Sequence, residues 1–287
     1  EDDIERIATI SSLDPEVAKL IAEIIKEIGI NGVVTVEKGS KLGLSKEVVK
    51  GMRFPRGWIT PYLINDAEKQ QTVLEDVHIV LIDRKVSSNE QILPMLQSIG
   101  VGTNILIIAD DVESVALASL LQNVMNGAAK IGVVRNPYNG VRGQEFLKDL
   151  AMLTGATVIT ESKGMKLSEA TVQLCGKAER VVITKDTTTV INGTASEGLG
   201  SYVEGLKNEK EESTSQYTKE GLDERIAALT GGIGVIRVGA YTDTEFNAKK
   251  YKFENAINAT VAALEEGIVA GGGSALGQLR VEEPLRH

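Results

Sequence analysis

Between about residues 76 and 190 the chain carries four short apolar runs, HIVLID (78–83), NILIIA (104–109), ATVIT (156–160) and RVVIT (180–184), separated by helix-like segments. That alternation predicts an α/β unit whose strands are partly parallel. The 42% apolar and 25% charged residues supply enough core for a chain of 287 residues to fold, as two domains rather than one.

The flanks read differently. DPEVAKLIAEIIKEIG (14–29) has Asp14 to cap a helix, Pro15 at its first position, and Val17, Leu20, Ile21, Ile24, Ile25 and Ile28 on one face before Gly29 stops it. VVTVE (33–37) predicts a short strand, and Gly51 with the stretch from Pro55 to Pro61 interrupts any regular pattern. Residues 206–229 read as a solvated helix pair, 231–240 as a Gly-flanked strand, and Lys249 to about Gly267 as an amphipathic helix. The two ends therefore belong to one discontinuous domain with a continuous domain inserted between them, and glycines at the two crossings predict a hinge.

Several chemistries are excluded by residue supply. A formal charge of −9, with no basic stripe, opposes nucleic-acid binding. One cysteine, Cys175, and two histidines, His78 and His287, leave no zinc set and no internal disulfide. No run of about 18 apolar residues predicts a membrane span. Gly271-Gly272-Gly273-Ser274 lacks the Lys and Ser or Thr of a Walker loop, and GGIGVIRVG lacks the spacing of a dinucleotide fingerprint. The carboxylate pairs Asp110-Asp111 and Glu265-Glu266 read as solvated surface, although an α/β enzyme using Asp110 or Glu265 stands as a rival reading. The sequons at Asn192 and Asn258 are chance matches without an export signal.

Three segments carry more apolar residues than a single buried stripe needs. ESVALASLLQNVM (113–125) spreads Val115, Ala116, Leu117, Leu120, Leu121, Val124 and Met125 around a helix. QILPMLQSI (91–99) contributes Ile92, Leu93, Met95, Leu96 and Ile99, and RGWITPYLI (56–64) sets Trp58, Tyr62 and Leu63 beside a proline turn. A binding groove lined by all three is one outcome, and simple burial is the other.

AALEEGIVAGGG (262–273) closely resembles the A-A-x-E-E-G-x-x-x-G-G-G signature of group I, GroEL-type chaperonins. GMRFPRGWITPYLIN (51–65), LIIADDVES (106–114), DLAMLTGATVI (149–159) and ERVVITKDTTTVINGT (179–194) follow in that family's order. The resemblance implies an intermediate domain in two parts, 1–50 and 234–265, small and mainly helical. It implies an inserted apical domain at 51–233 with mixed sheets flanked by helices, and an equatorial stub at 266–287. The family's substrate groove falls on Trp58, Tyr62, Leu63, Leu93, Leu96, Leu117, Leu121 and Gln122, with Asn123 as a nearby polar contact. There it captures non-native polypeptides and, in alternation, the mobile loop of a ring-shaped co-chaperonin. Gln122 stands where an aliphatic residue is usual, and the hinge falls on Gly51, Gly231 and Gly232.

The resemblance also carries departures. Asn255 occupies the position of the family's catalytic aspartate, and an amide cannot serve as that base. PYNGVRG (137–143) replaces a Pro-Gly-Phe-Gly-Asp-Arg-Arg type of turn, and the chain is one residue short near Gly100 to Thr103. LRVEEPLRH (279–287) matches a segment usually further downstream. The N-terminal equatorial half, with its phosphate loop and magnesium aspartate, has no counterpart, which leaves Gly272 as a residual nucleotide contact. The expectation is a fragment without ATPase activity of its own, from a cytoplasmic or organellar parent that uses ATP and magnesium in seven-membered rings. A free-standing peptide-binding module derived from a chaperonin is the alternative.

Overall fold

The computed structural model describes residues 6–10, 14–29, 32–39, 43–160, 162 and 164–267. The chain divides into two compact units, one of residues 1–47 with 234–287 and one of residues 48–233. Both are mixed α/β.

In the discontinuous unit, helix α1 (Pro15–Ile28) begins as its sequence dictates. The Asp14 carboxylate accepts from the backbone N–H groups of Glu16 and Val17 at 3.1 and 3.5 Å, and Pro15 needs no such partner. Strands β1 (Val33–Lys38) and β2 (Leu44–Val49) flank a late strand, β9 (Ile233–Val238), in the order β1-β9-β2. Helix α7 (Asp243–Glu266) packs on β1 and α1. The unit thus sets two long helices beside a three-stranded sheet, of which the sequence announces β1 and β9 but not β2. β2, LSKEVV, is largely solvated and shows no clean period in its apolar residues. Helix α7 also starts six residues before the expected Lys249: the Thr242 hydroxyl accepts from the Glu245 N–H, and the Glu245 carboxylate accepts from the Tyr241 N–H, a reciprocal cap.

The continuous unit is built on a six-stranded sheet of β3 (Gly51–Phe54), β4 (Thr72–Val86), β5 (Asn104–Val112), β6 (Lys130–Arg135), β7 (Gly176–Ile183) and β8 (Thr188–Gly193). Its order is β3-β8-β7-β4-β5-β6, parallel across β4, β5 and β6 and antiparallel elsewhere. HIVLID and NILIIA are continuously apolar because both faces are covered. Ile79, Leu81, Leu106 and Ile108 enter one core with helices α4 (Gly140–Thr154), α5 (Leu199–Glu212) and α6 (Gln216–Thr230). Val80, Ile82, Ile105 and Ile107 enter a second core with α2 (Asn89–Ile99) and α3 (Ser114–Met125).

One expected strand is absent. ATVIT forms only a single bridge, in which the Ile159 N–H donates to the Leu81 carbonyl and the Asp83 N–H donates to that of Ile159. The pairing of β7 with β4 ends at Ile79, so this edge of β4 is open for two bonds and no more. β6 carries no clear strand signal in the sequence, since KIGVVR is short and broken by Gly132.

Helices α4, α5 and α6 are tied together by a buried polar cluster. The Arg225 guanidinium donates twice to Asp149, at 2.8 and 3.0 Å, and once to the Tyr202 hydroxyl at 2.9 Å, while that hydroxyl donates to Asp149 at 2.8 Å. Asp149 is 3% exposed, and Glu145 adds an ion pair to Arg225 at 3.2 Å. Burial, reinforced by the Asp149 charge, drives the Tyr202 hydroxyl far above its usual pKa and keeps it protonated as a donor. Removing one member strands a buried charge. Asp149→Ala is therefore expected to lower stability by about 3–5 kcal/mol in denaturant unfolding, and a loss below about 1 kcal/mol contradicts this account of the cluster.

Candidate functional site

Helix α3 is apolar around most of its circumference. Ala116 and Leu120 are buried in the second core; Leu117, Leu121 and Val124 form a half-buried shoulder packed on it. The outer stripe, at spacings of three and four, is Val115, Ala118, Gln122 and Met125, with Val115 63% and Met125 85% exposed. An isolated surface helix would place polar residues there.

Two neighbours extend this face. Helix α2 packs beside α3, burying Ile92 and Met95 and leaving Leu93 and Leu96 half-buried. It opens with a capping box in which the Gln91 amide oxygen accepts from the Ser87 and Ser88 N–H groups at 2.9 and 3.3 Å, and it closes at Gly100. The 3-10 turn Pro61–Leu63, entered through Pro61, also packs against α3. There Tyr62 is 80% exposed whereas Leu63 is 2% exposed.

The structure therefore brings together Leu93, Leu96, Leu117, Leu121, Gln122 and Tyr62 along α2, α3 and the turn. Leu63 is a core residue beneath them. Trp58 packs against the first core, whereas α2 and α3 pack on the second, and its indole N–H donates to the Gln70 carbonyl at 3.5 Å. The Asn123 amide donates to the Ser119 carbonyl at 2.8 Å within its own helix. Gln122 is exposed.

Other singled-out residues lie elsewhere. Asn255 is exposed on α7. Gly51 sits in β3 opposite Ile191, where a Cβ would approach the Val190 carbonyl oxygen to 2.3 Å and the Ile233 Cδ1 to 2.6 Å. Close packing alone therefore demands glycine at this crossing. Gly231 ends α6, and Gly232 follows with φ +67°, which favours glycine on its own account. Gly272, the 268–287 part of the expected equatorial stub and the Glu265 side chain lie outside the described residues.

Among the described residues carboxylate chemistry finds no constellation. Burial, then repulsion from Asp83, raises the Asp110 pKa, opposed by a 3.4 Å bond from the Asn136 amide. Asp83 accepts from Gln144 and Thr160, each at 3.1 Å, and no nucleophile with its own base stands by. Among the described residues no three His, Cys, Asp or Glu side chains gather as a metal requires. Cys175 is a buried free thiol whose pKa burial raises to about 11, which makes it a poor nucleophile. A concavity of about 420 Å³ lined by Phe54, Tyr138, Arg142, Phe146 and Arg225 has its cations paired, Arg142 with Glu224 at 2.8 Å and Arg225 with Asp149.

A model of the TCP-1/cpn60 chaperonin family matches residues 8–282. The chain belongs to the TCP-1/cpn60 chaperonin family. Membership of that family supports a part in protein folding. Among the described residues no helix is long and apolar enough to cross a membrane.

The contrast between Tyr62 and Leu63 is directly measurable. Leu63→Ala is expected to cost about 2–5 kcal/mol of stability through the cavity it leaves, whereas Tyr62→Ala should stay within about 0.5 kcal/mol. Equal losses in urea unfolding would refute the placement of the two side chains.

Proposed function

We propose that this chaperonin chain captures non-native polypeptides on the face formed by α2, α3 and the turn at Pro61–Leu63, and in alternation the mobile loop of a ring-shaped co-chaperonin. The observation that carries the reading is the outer stripe of α3, where Val115 and Met125 are left in solvent although the helix already buries Ala116 and Leu120. Burial of such surface gains roughly 25 cal/mol per Å² of apolar area without reading sequence, as a receptor for many unfolded chains requires. Helices rich in Leu and Met re-pack against varied partners.

ATP and magnesium belong, on this reading, to a longer parent that assembles in seven-membered rings in the cytoplasm or an organelle. The crossings at Gly51 and Gly231–Gly232 are its proposed hinge. One chain alone lacks the multivalency of a ring, so its grip on a client is weak. The chain should suppress aggregation of a denatured client protein in light-scattering assays, and the variant carrying Leu93→Ser, Leu117→Ser and Leu121→Ser should lose that effect while unfolding cooperatively. Equal suppression by this variant overturns the assignment of the face.

Asn255 is proposed to occupy the place of the catalytic aspartate. In the full-length ring Asn255→Asp should raise ATP turnover by something on the order of the 10²–10⁴-fold associated with a positioned acid or base. Unchanged turnover removes the position from the catalytic set.

A further inference from the structure

The turn between β6 and α4, which the chaperonin reading leaves without a role, holds an Asn-Gly step whose surroundings differ from those of two other described steps. Asn-Gly occurs four times, at Asn31–Gly32, Asn126–Gly127, Asn139–Gly140 and Asn192–Gly193. Glycine after asparagine leaves its backbone nitrogen unshielded by a Cβ, so that nitrogen can reach the asparagine side-chain carbonyl when the chain is free to rotate. Asn31 lies outside the described residues; the other three steps can be compared.

At two of the three, hydrogen bonds hold the attacking nitrogen. The Gly127 N–H donates to the Val124 carbonyl at 3.0 Å in the turn that ends α3. The Gly193 N–H donates to the Lys50 carbonyl at 3.1 Å, and the Asn192 amide donates to Glu179 at 2.7 Å. At the third, Asn139 and Gly140 are both exposed, and the Asn139 side chain makes no capping bond although it stands at the cap position of α4. Among the described residues the Gly140 N–H has no acceptor. Gly140 has φ +61°, outside helical backbone, and nothing lies within 4 Å of where its Cβ would stand. The Asn139 side chain and the Gly140 N–H are thus unheld, and ring closure requires a rotation about the Asn139 backbone that is opposed only by the long 3.4 Å bond from the Gly143 N–H to the Asn139 carbonyl. The positive end of α4 favours the transient negative charge on the Gly140 nitrogen.

We propose that Asn139–Gly140 is a site of self-catalysed deamidation in the native protein. The Gly140 nitrogen gives its proton to hydroxide or buffer base and forms a bond to the Asn139 side-chain carbon. The bond from that carbon to Nδ2 breaks, and ammonia leaves after taking up a proton. Water then opens the five-membered imide at either carbonyl, giving an aspartyl or an isoaspartyl residue. One water is consumed, one ammonia is released, and nothing is oxidised or reduced. The product adds a carboxylate at the N-terminus of α4, three residues before Arg142, where a negative charge is favourable. The isoaspartyl form also lengthens the backbone where the chain enters the helix.

The test is peptide mapping by mass spectrometry of the purified native chain after ageing at mildly alkaline pH, with isoaspartate counted by enzymatic carboxyl methylation. Conversion at Asn139 should run about ten-fold or more ahead of that at Asn126 and Asn192, whose nitrogens are hydrogen-bonded. In urea, where those bonds are lost, the three rates should converge. Asn139→Gln, which would need a larger ring, should abolish the fast phase of ammonia release and leave unfolding unchanged. Conversion in the native chain that is as fast at Asn126 or Asn192 as at Asn139 overturns the proposal, and so does a fast phase that survives Asn139→Gln.

Discussion

Strands β4 and β5 each send successive side chains into two different cores, Ile79, Leu81, Leu106 and Ile108 to one face and Val80, Ile82, Ile105 and Ile107 to the other. A strand pair that is apolar on both faces cannot rest until both are covered, and helices are what cover a parallel sheet. One face takes α4, α5 and α6; the other takes α2 and α3. The position of the candidate site follows from this demand, because α2 and α3 are held on the sheet by Ile92, Met95, Ala116 and Leu120 and can leave their remaining apolar residues outside.

That division of labour within one helix has a cost. Val115 and Met125 in water favour association and aggregation, and a helix meant only to cover a sheet has no use for them. The proposed capture of non-native chains would give them a use. A rigid platform with a solvated apolar stripe can bind many chains, since the energy depends on area and not on a fixed set of polar partners. Gln122 interrupts the stripe with an amide that can both donate and accept.

The opposite face of the sheet is organised by polar rather than apolar specificity. Asp149, Arg225 and Tyr202 satisfy one another in a nearly closed set and fix the α5–α6 pair against α4. Such a cluster is weak evidence for net stability against an apolar replacement, but it penalises any arrangement of the helices that leaves one member unpaired. Its residues are scattered at positions 149, 202 and 225, and only Arg225 lies in the segment that reads as a solvated helix pair.

The α/β class, the family, the capped helix at Asp14–Pro15, the strands HIVLID and NILIIA, and the excess of apolar residues on α3 are all legible in the amino-acid order alone. Each of these is carried by neighbours in the chain: a period, a cap or a run of apolar residues. The remaining features depend on which strand edge or core a residue meets. ATVIT has strand composition, yet the open edge of β4 offers it two hydrogen bonds. β2, β3, β6 and β8 carry no local pattern that announces them and are defined by pairing with neighbouring strands. Leu63 and Tyr62 are adjacent and similar in apolar character, but the 3-10 turn points one into the core and the other into solvent. Trp58, seven residues from Asn65 in the same motif, packs against the other core because its backbone bridges to Val134 in β6. No local pattern encodes that choice, since it is made by hydrogen bonds and burial between segments far apart in the chain.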